Sequence, residues 1–352
     1  MVGSTAAYPS RSVDSTHQPP DAKVIYALAG RIVRHVLREP IRCRCPMQAI
    51  KAAKLVLLTA VLFAAGSAVS REPAVRIVTS DVDLFYRLYD ATARRPSAAQ
   101  IQHDYLDAGS NGLRTFARVR NTTAERIAAA IADQPQLYLN ARRCAAVLPS
   151  ARPRLAAALK RLKAIYPAAR FPPVTVAIGR GRPVGVGSPV HGLQIGLEAL
   201  CGVRYYSPDL ADRFVHVAAH EFVHVQQPPE MVDNDAGWTV LEGALVEGGA
   251  DFVGELISGG LGNPQLARDA VGREREIERR FVADMDKTDL SGWLNDGTME
   301  KSGNLAYWVG YRIAKSYYRR APDKRAAIRD IIEVRDAHAF LARSGWYPGI
   351  RF

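Results

Sequence analysis

The chain has 352 residues, 48% of them hydrophobic, and a formal net charge of +12. That composition excludes a disordered protein and leaves room for one large domain or two ordinary ones around a sizeable core. Residues 1–70 hold nine Lys and Arg against three Asp and Glu, which leaves 38 against 32 for 71–352; so mild an excess, with no basic cluster interleaved with aromatics, excludes nucleic acid as an expected partner.

Residues 1–46 are rich in Ser, Pro and Arg with one short apolar patch, and read as a disordered or non-native leader. The most apolar run follows, Leu55 to Ala68. A run of about 14 apolar residues is short for a membrane span and fits the h-region of a signal peptide. Met47 supplies the start, Lys51 and Lys54 the basic n-region, and small residues around Ala68 to Ser70 suit a signal peptidase. The segment 47–70 is therefore expected to be a signal peptide, with 1–46 an over-extended gene start. That places the mature chain in the periplasm or outside the cell, with no stable membrane span; a membrane anchor through 55–68 is the alternative. Cys43 and Cys45 leave with the leader. Cys144 and Cys201 remain, as one disulfide or two buried thiols, too few for a cysteine zinc site.

From Ser80 to Lys163 apolar residues recur at spacings of three and four. This predicts helices over 82–89, 98–119, 124–132 and 135–146, loops at Arg95-Pro96, Gly109 to Gly112 and Pro149 to Pro153, and a further helix over 155–165 stopped at Pro167. Residues 71–168 are thus expected to form a helical N-terminal subdomain. Val174 to Ile178 then alternates and is β-branched, Gly179 to Gly187 is glycine-rich, and Leu193 to Leu197 is apolar again. Two strands joined by a loose turn are expected, giving an edge that could hold an extended peptide by main-chain hydrogen bonds.

The next helix is expected from Ser207-Pro208-Asp209 to a stop before Pro228-Pro229. It carries His220-Glu221-Phe222-Val223-His224, an HExxH pattern. Residues four apart on a helix differ by about 400° of rotation, so both imidazoles leave one face and can chelate one ion, with Glu221 beside it as a base. Hydrolytic zinc takes three protein ligands and keeps a fourth position for water. No third histidine follows at the metzincin spacing, because His224 is followed by Val225-Gln226-Gln227-Pro228. The helix expected over 239–257 offers Glu247 as third ligand. Asp251, four residues on and on the same face, can orient a ligand histidine, after which no other orienter is called for. Glu242 competes with Glu247 but lies about 140° around the helix, so both cannot face the metal. Helices over 303–318 and 325–341 close the chain.

These residues resemble the gluzincin group of metallopeptidases, in which HExxH is followed by a glutamate on the next helix in an EGxAD-like segment. The likeness spans roughly Val174 to Tyr318 and is closest to bacterial predicted zinc-dependent proteases. It implies a fold that is mainly α with a small β-sheet (α+β), in which a zincin-like core, residues 169–352, follows the helical part and carries edge strands and the HExxH helix. It also implies one zinc per chain on His220, His224 and Glu247, Glu221 as catalytic base, Asp251 behind the ligands, and a peptide or protein substrate. Tyr307-Trp308-Val309-Gly310 matches the element whose tyrosine donates to the oxyanion in such enzymes, which makes Tyr307 the expected donor and Tyr311 its rival. The plainer alternative is a catalytically silent scaffold that binds zinc and a polypeptide or cell-envelope partner. A hydrolase of non-peptide amides would share the same metal and base.

His216 stacks one turn before His220, yet is about 12 Å of helix rise from His224 and is expected to pack rather than ligate. His191 and Glu198 lie near the expected edge strand and read as ordinary loop residues. Trp238, Trp293, Trp308 and Trp346 are expected in core or subdomain contacts.

Overall fold

The computed structural model describes residues 76–234, 236–294 and 296–352, so the expected leader (1–46) and signal peptide (47–70) lie outside the described residues. The three-four apolar spacing of the first half produces α1 (Ser80–Ala91), α2 (Ala98–Ile101, continued as a π-helical stretch Gln102–Asp107), α3 (Asn111–Val119), α4 (Ala124–Asp133), α5 (Pro135–Ala145) and α6 (Leu148–Ile165). Ser97, Ser110 and Thr123 start α2, α3 and α4, each accepting from the amide three residues on. Helix α6 begins earlier than the expected 155, and Pro149 to Pro153 is not a loop. Pro149 falls in the first turn, where its missing N–H has no intrahelical partner, and Pro153 sits inside the helix. The buried face of Leu148, Ala151, Leu155, Ala158, Leu159 and Leu162 carries the helix through both prolines.

The inner faces meet in a buried aromatic cluster of Phe85, Tyr86, Tyr89, Tyr105 and Tyr138, with ring centroids 5.2 to 6.5 Å apart. Two of these rings reach beyond the core. The Tyr105 hydroxyl donates to Ile178 O at 2.7 Å and accepts from Ile178 N at 2.8 Å, and the Tyr138 hydroxyl donates to Gly179 O at 3.0 Å. Helices of the first half therefore fix the chain as it leaves the sheet.

That sheet has four strands in the order β1-β2-β4-β3, formed by β1 (Ile77–Val78), β2 (Val174–Ala177), β3 (Gly185–Ser188) and β4 (Gly192–Gly196). Strands β1, β2 and β4 are parallel, and β3 runs antiparallel to β4. The glycine-rich stretch is thus not simply a loose turn. Its second half is the edge strand, and Leu193 to Gly196, expected at the edge, lies inside the sheet. Glycine obscures β3 because its value here is the side chain it lacks: a Cβ on Gly187 would stand 2.1 Å from the Glu221 carbonyl oxygen of the helix beneath. Gly196 N donates to Val184 O, so in the antiparallel register the even-numbered residues of β3 face β4 and Gly185 and Gly187 turn their main-chain groups to the free edge.

The second half builds α7 (Leu197–Gly202), α8 (Leu210–His224), α9 (Pro229–Val232), α10 (Val240–Ser258), α11 (Gln265–Ala270), α12 (Glu274–Asp284), α13 (Leu305–Arg320), α14 (Lys324–Ile332) and α15 (Ala337–Ser344). The expected closing helix over 325–341 is two helices, because Asp336 caps a new start through Ala339 N. Helix α10 is the central element, with most of its residues buried, and packs against α6, α8, α13, α14 and α15. Over the described residues the fold is mainly α with one small mixed sheet. Cys144 of α5 and Cys201 of α7 form a disulfide with Cα atoms 6.2 Å apart, tying the first half to the second. Among the described residues no helix is long and apolar enough to cross a membrane.

Candidate metal centre

Helix α8 starts at Asp209, whose side chain accepts from Asp212 N, and it ends at His224. His220 and His224 lie one turn apart on its face toward α10, and their rings meet edge-on with centroids 4.6 Å apart. Helix α10 starts at a capping box in which Thr239 and Glu242 satisfy each other's backbone amides. Glu242 is thereby committed to the cap, with its carboxylate 2.8 Å from Thr239 N. Glu247 and Asp251, one turn apart, face α8.

Three ligand-type atoms converge. Glu247 Oε2 lies 3.2 Å from His220 Nε2 and 3.1 Å from His224 Nε2, and the two Nε2 atoms are 2.9 Å apart. Tetrahedral ligands at the usual zinc distances of about 2.0–2.1 Å stand about 3.3 Å from one another, so this triangle has close to the size one zinc ion needs. These three residues form the metal-capable group found among the described residues.

The protons on the imidazoles are set by what lies behind them. His220 Nδ1 faces Asp251 Oδ1 at 2.8 Å, an acceptor only, so Nδ1 carries the proton and Nε2 turns a lone pair to the centre. His224 Nδ1 faces Gln227 Oε1 at 2.6 Å. The amide of Gln227 cannot be reversed, because its Nε2 donates to Val246 O at 2.8 Å. Each histidine thus has its own orienter. Gln227 was not expected in that role; its cue in the sequence is its place three residues after His224, and its 1% exposure gives it no solvent partner.

The electrostatics favour a cation. Burial works against charge on His220, but Asp251 and Glu247 outweigh it and lift its pKa well above the ordinary histidine value. His224 is raised in the same way by Glu247. Burial alone would raise Glu247, yet the two imidazoles hold it well below the ordinary carboxylate range. The donor set, its size, its protonation and its charge all suit one divalent ion.

Glu221 turns toward the edge strand, where a Cβ on Gly185 would come within 2.2 Å of its carboxylate. It is 8% exposed and lines the same cleft of about 470 Å³ as the three ligand residues. Tyr307 stacks on His220, with centroids 5.9 Å apart and planes 11° off parallel. Burial and the facing Glu247 carboxylate push its hydroxyl well above the ordinary tyrosine pKa. Its rival Tyr311 points elsewhere, with its hydroxyl 2.5 Å from Glu255, beyond the cleft lining. The neighbouring Tyr206 also lines the cleft and was not singled out from the sequence.

The remaining expected residues separate cleanly. His216 Nδ1 pairs with Ser258 Oγ at 2.9 Å, outside the centre. His191 sits at the β3–β4 turn, its amide bound to Ser188 Oγ. Glu198 is fully buried, where it accepts from Gly181 N at 2.9 Å and steadies the loop ahead of β3. Trp293, Trp308 and Trp346 are buried, and Trp238 packs against the core while it also lines the cleft, with its Nε1 donating to Met231 O. Comparison of the chain with family models, with curated proteins and with solved structures finds no match.

Proposed function

We propose that this protein is a zinc-dependent peptidase that uses Glu221 as its general base. The observation that carries the reading is the convergence of His220 Nε2, His224 Nε2 and Glu247 Oε2 within about 3 Å of one another, with both imidazoles oriented from behind and Glu221 against an edge strand. A divalent ion held by these three atoms would polarise a water molecule and the carbonyl under attack. Glu221 takes the proton of the attacking water and returns it to the leaving nitrogen. Tyr307, whose ring stacks on His220 and whose hydroxyl faces Glu247, donates to the oxygen that becomes negative as the carbonyl carbon turns tetrahedral. Gly185 and Gly187 offer main-chain donors and acceptors along the cleft, which suits an extended peptide better than a compact amide.

The disulfide supports a site of action in an oxidising compartment, in keeping with a signal peptide at 47–70 and a periplasmic or secreted protein. Metal analysis of the purified full-length chain tests the centre. About one zinc per chain is expected, lost on Glu247→Ala and retained on Glu242→Ala. The reverse pattern would overturn the ligand assignment.

A further inference from the structure

The lining of the cleft that holds the candidate metal centre includes the acidic Glu221, Glu247 and Asp251 and the basic Arg120 and Arg182. Arg182 stands three residues ahead of Gly185, so its backbone lies within about 10 Å of the strand position that touches Glu221. Two more arginines stand beside these, outside the cleft lining. Arg180 donates through Nη2 to Arg120 O at 3.3 Å, and Arg126 anchors through Nη1 to Asn121 O.

None of the four forms an ion pair with a carboxylate among the described residues. Arg180 Nε is buried without a hydrogen-bond partner. Burial lowers the Arg180 pKa, and the positive charges of Arg126 and Arg182 lower it further. Like charges held together cost free energy unless an anion joins them. The loop that carries Arg180 and Arg182 is built not to relax: Tyr138 binds Gly179 O, and Glu198 binds Gly181 N between the two arginines. The Tyr205 ring lines the wall beside Arg182.

We propose that this arginine group is a substrate subsite that binds a peptide carboxylate two or three residues from the scissile bond, so that acidic peptides are the preferred substrates. The inference rests on the peptidase reading and deepens it. An extended peptide rises about 3.3 Å per residue, so a group two or three positions from the reacting carbonyl reaches Arg182. A guanidinium presents a fork that matches a carboxylate in two hydrogen bonds, and several guanidinia around one anion exceed what a single surface pair contributes. The carboxylate has two sources, an Asp or Glu side chain or the free C-terminus of the substrate.

The test measures binding and cleavage separately, on the full-length zinc-loaded chain. Peptide pairs differ by Glu against Gln at two and three residues on either side of a fixed cleavable bond, each with a free or an amidated C-terminus. Binding is read by fluorescence anisotropy on Glu221→Gln protein, and turnover on protein with Glu221 intact. Expected are at least tenfold tighter binding and a correspondingly lower KM for peptides with the carboxylate, both abolished by Arg182→Glu and weakened by Arg120→Ala. Arg152→Ala, which removes an exposed charge on α6 away from the cleft, serves as control and leaves the preference intact. Amidated Glu peptides that keep the advantage assign it to the side chain; its loss on amidation assigns it to the C-terminus. Equal binding of Glu and Gln peptides with either terminus, or a preference that survives Arg182→Glu, overturns the proposal. Carboxylate-dependent binding without any turnover would leave the subsite standing and remove the peptidase reading instead.

Discussion

Glu221, the proposed base, and Gln227, which lies behind His224 Nδ1, have different tasks, and substitution separates them. Glu221→Gln keeps the shape of the side chain and removes the base, so zinc content is expected to stay at about one per chain while turnover falls by about 10²–10⁴. Gln227→Ala removes the acceptor behind His224 Nδ1 and frees the imidazole to turn. Its expected effect is a 10- to 100-fold loss of zinc affinity in chelator competition. A Gln227→Ala protein that holds zinc as tightly as wild type would show that Asp251 alone orients the pair. Protons compete for the same nitrogens. Since Asp251 and Glu247 raise the His220 pKa above its ordinary value, metal uptake displaces protons, and zinc affinity is expected to climb with pH through and beyond the ordinary histidine range. Calorimetry in buffers of different ionisation heat checks this; uptake without proton release contradicts it. At this level much was legible in the sequence, because ligand chemistry depends on residue type and helical spacing. Gln227 was not, since an amide becomes an orienter only when its other end is pinned, here by Val246 O across two helices.

The helices that carry these side chains approach one another through glycine. A Cβ on Gly310 of α13 would stand 1.7 Å from Ala244 O of α10, and one on Gly248 would stand 2.2 Å from Tyr311 N. Backbone therefore packs on backbone, and that contact brings Tyr307 over His220. Overpacking costs about 1–3 kcal/mol or more, so Gly310→Ala is expected to lower the thermal midpoint and, by moving Tyr307, to cut turnover in protein that remains folded. Unchanged midpoint and turnover would show that the helices separate freely. Gly187→Ala presses on the α8 backbone in the same way, whereas Gly185→Ala meets only the carboxylate end of Glu221 and is expected to disturb turnover more than stability. The same glycines explain which elements the sequence concealed. Helices with polar caps and apolar stripes declared themselves, as α10 did through Thr239 and Glu242. Strand β3 showed no alternation because its alternate positions are glycine, dictated by a neighbour distant in the sequence.

The whole molecule holds the cleft between two halves that the chain order separates. The first half reaches the site through Arg120 in the cleft lining, through Tyr105 and Tyr138 on the loop before β3, and through the disulfide between α5 and α7. The mainly helical class was legible from periodicity and the sheet from one β-branched run. The clamp was not, because nothing local in Tyr105 or Tyr138 says which carbonyl it will meet. The bond closes a segment with a sequence separation of 57, and removing such a link costs about 2–4 kcal/mol. Cys201→Ser is accordingly expected to lower the thermal midpoint by several degrees, and since α7 runs into the cleft wall at Val203 and Tyr205, to raise KM more than it lowers kcat. A wild-type midpoint after substitution or reduction would mean that the packing of α5 against α7 suffices alone.

The most direct test is cleavage of a broad peptide library by the full-length zinc-loaded protein, run beside Glu221→Gln protein of equal zinc content. Expected is hydrolysis by the wild type and a loss of about 10²-fold or more in the variant. Cleavage by both at the same rate, or by neither while zinc is bound, would contradict a Glu221-driven peptidase.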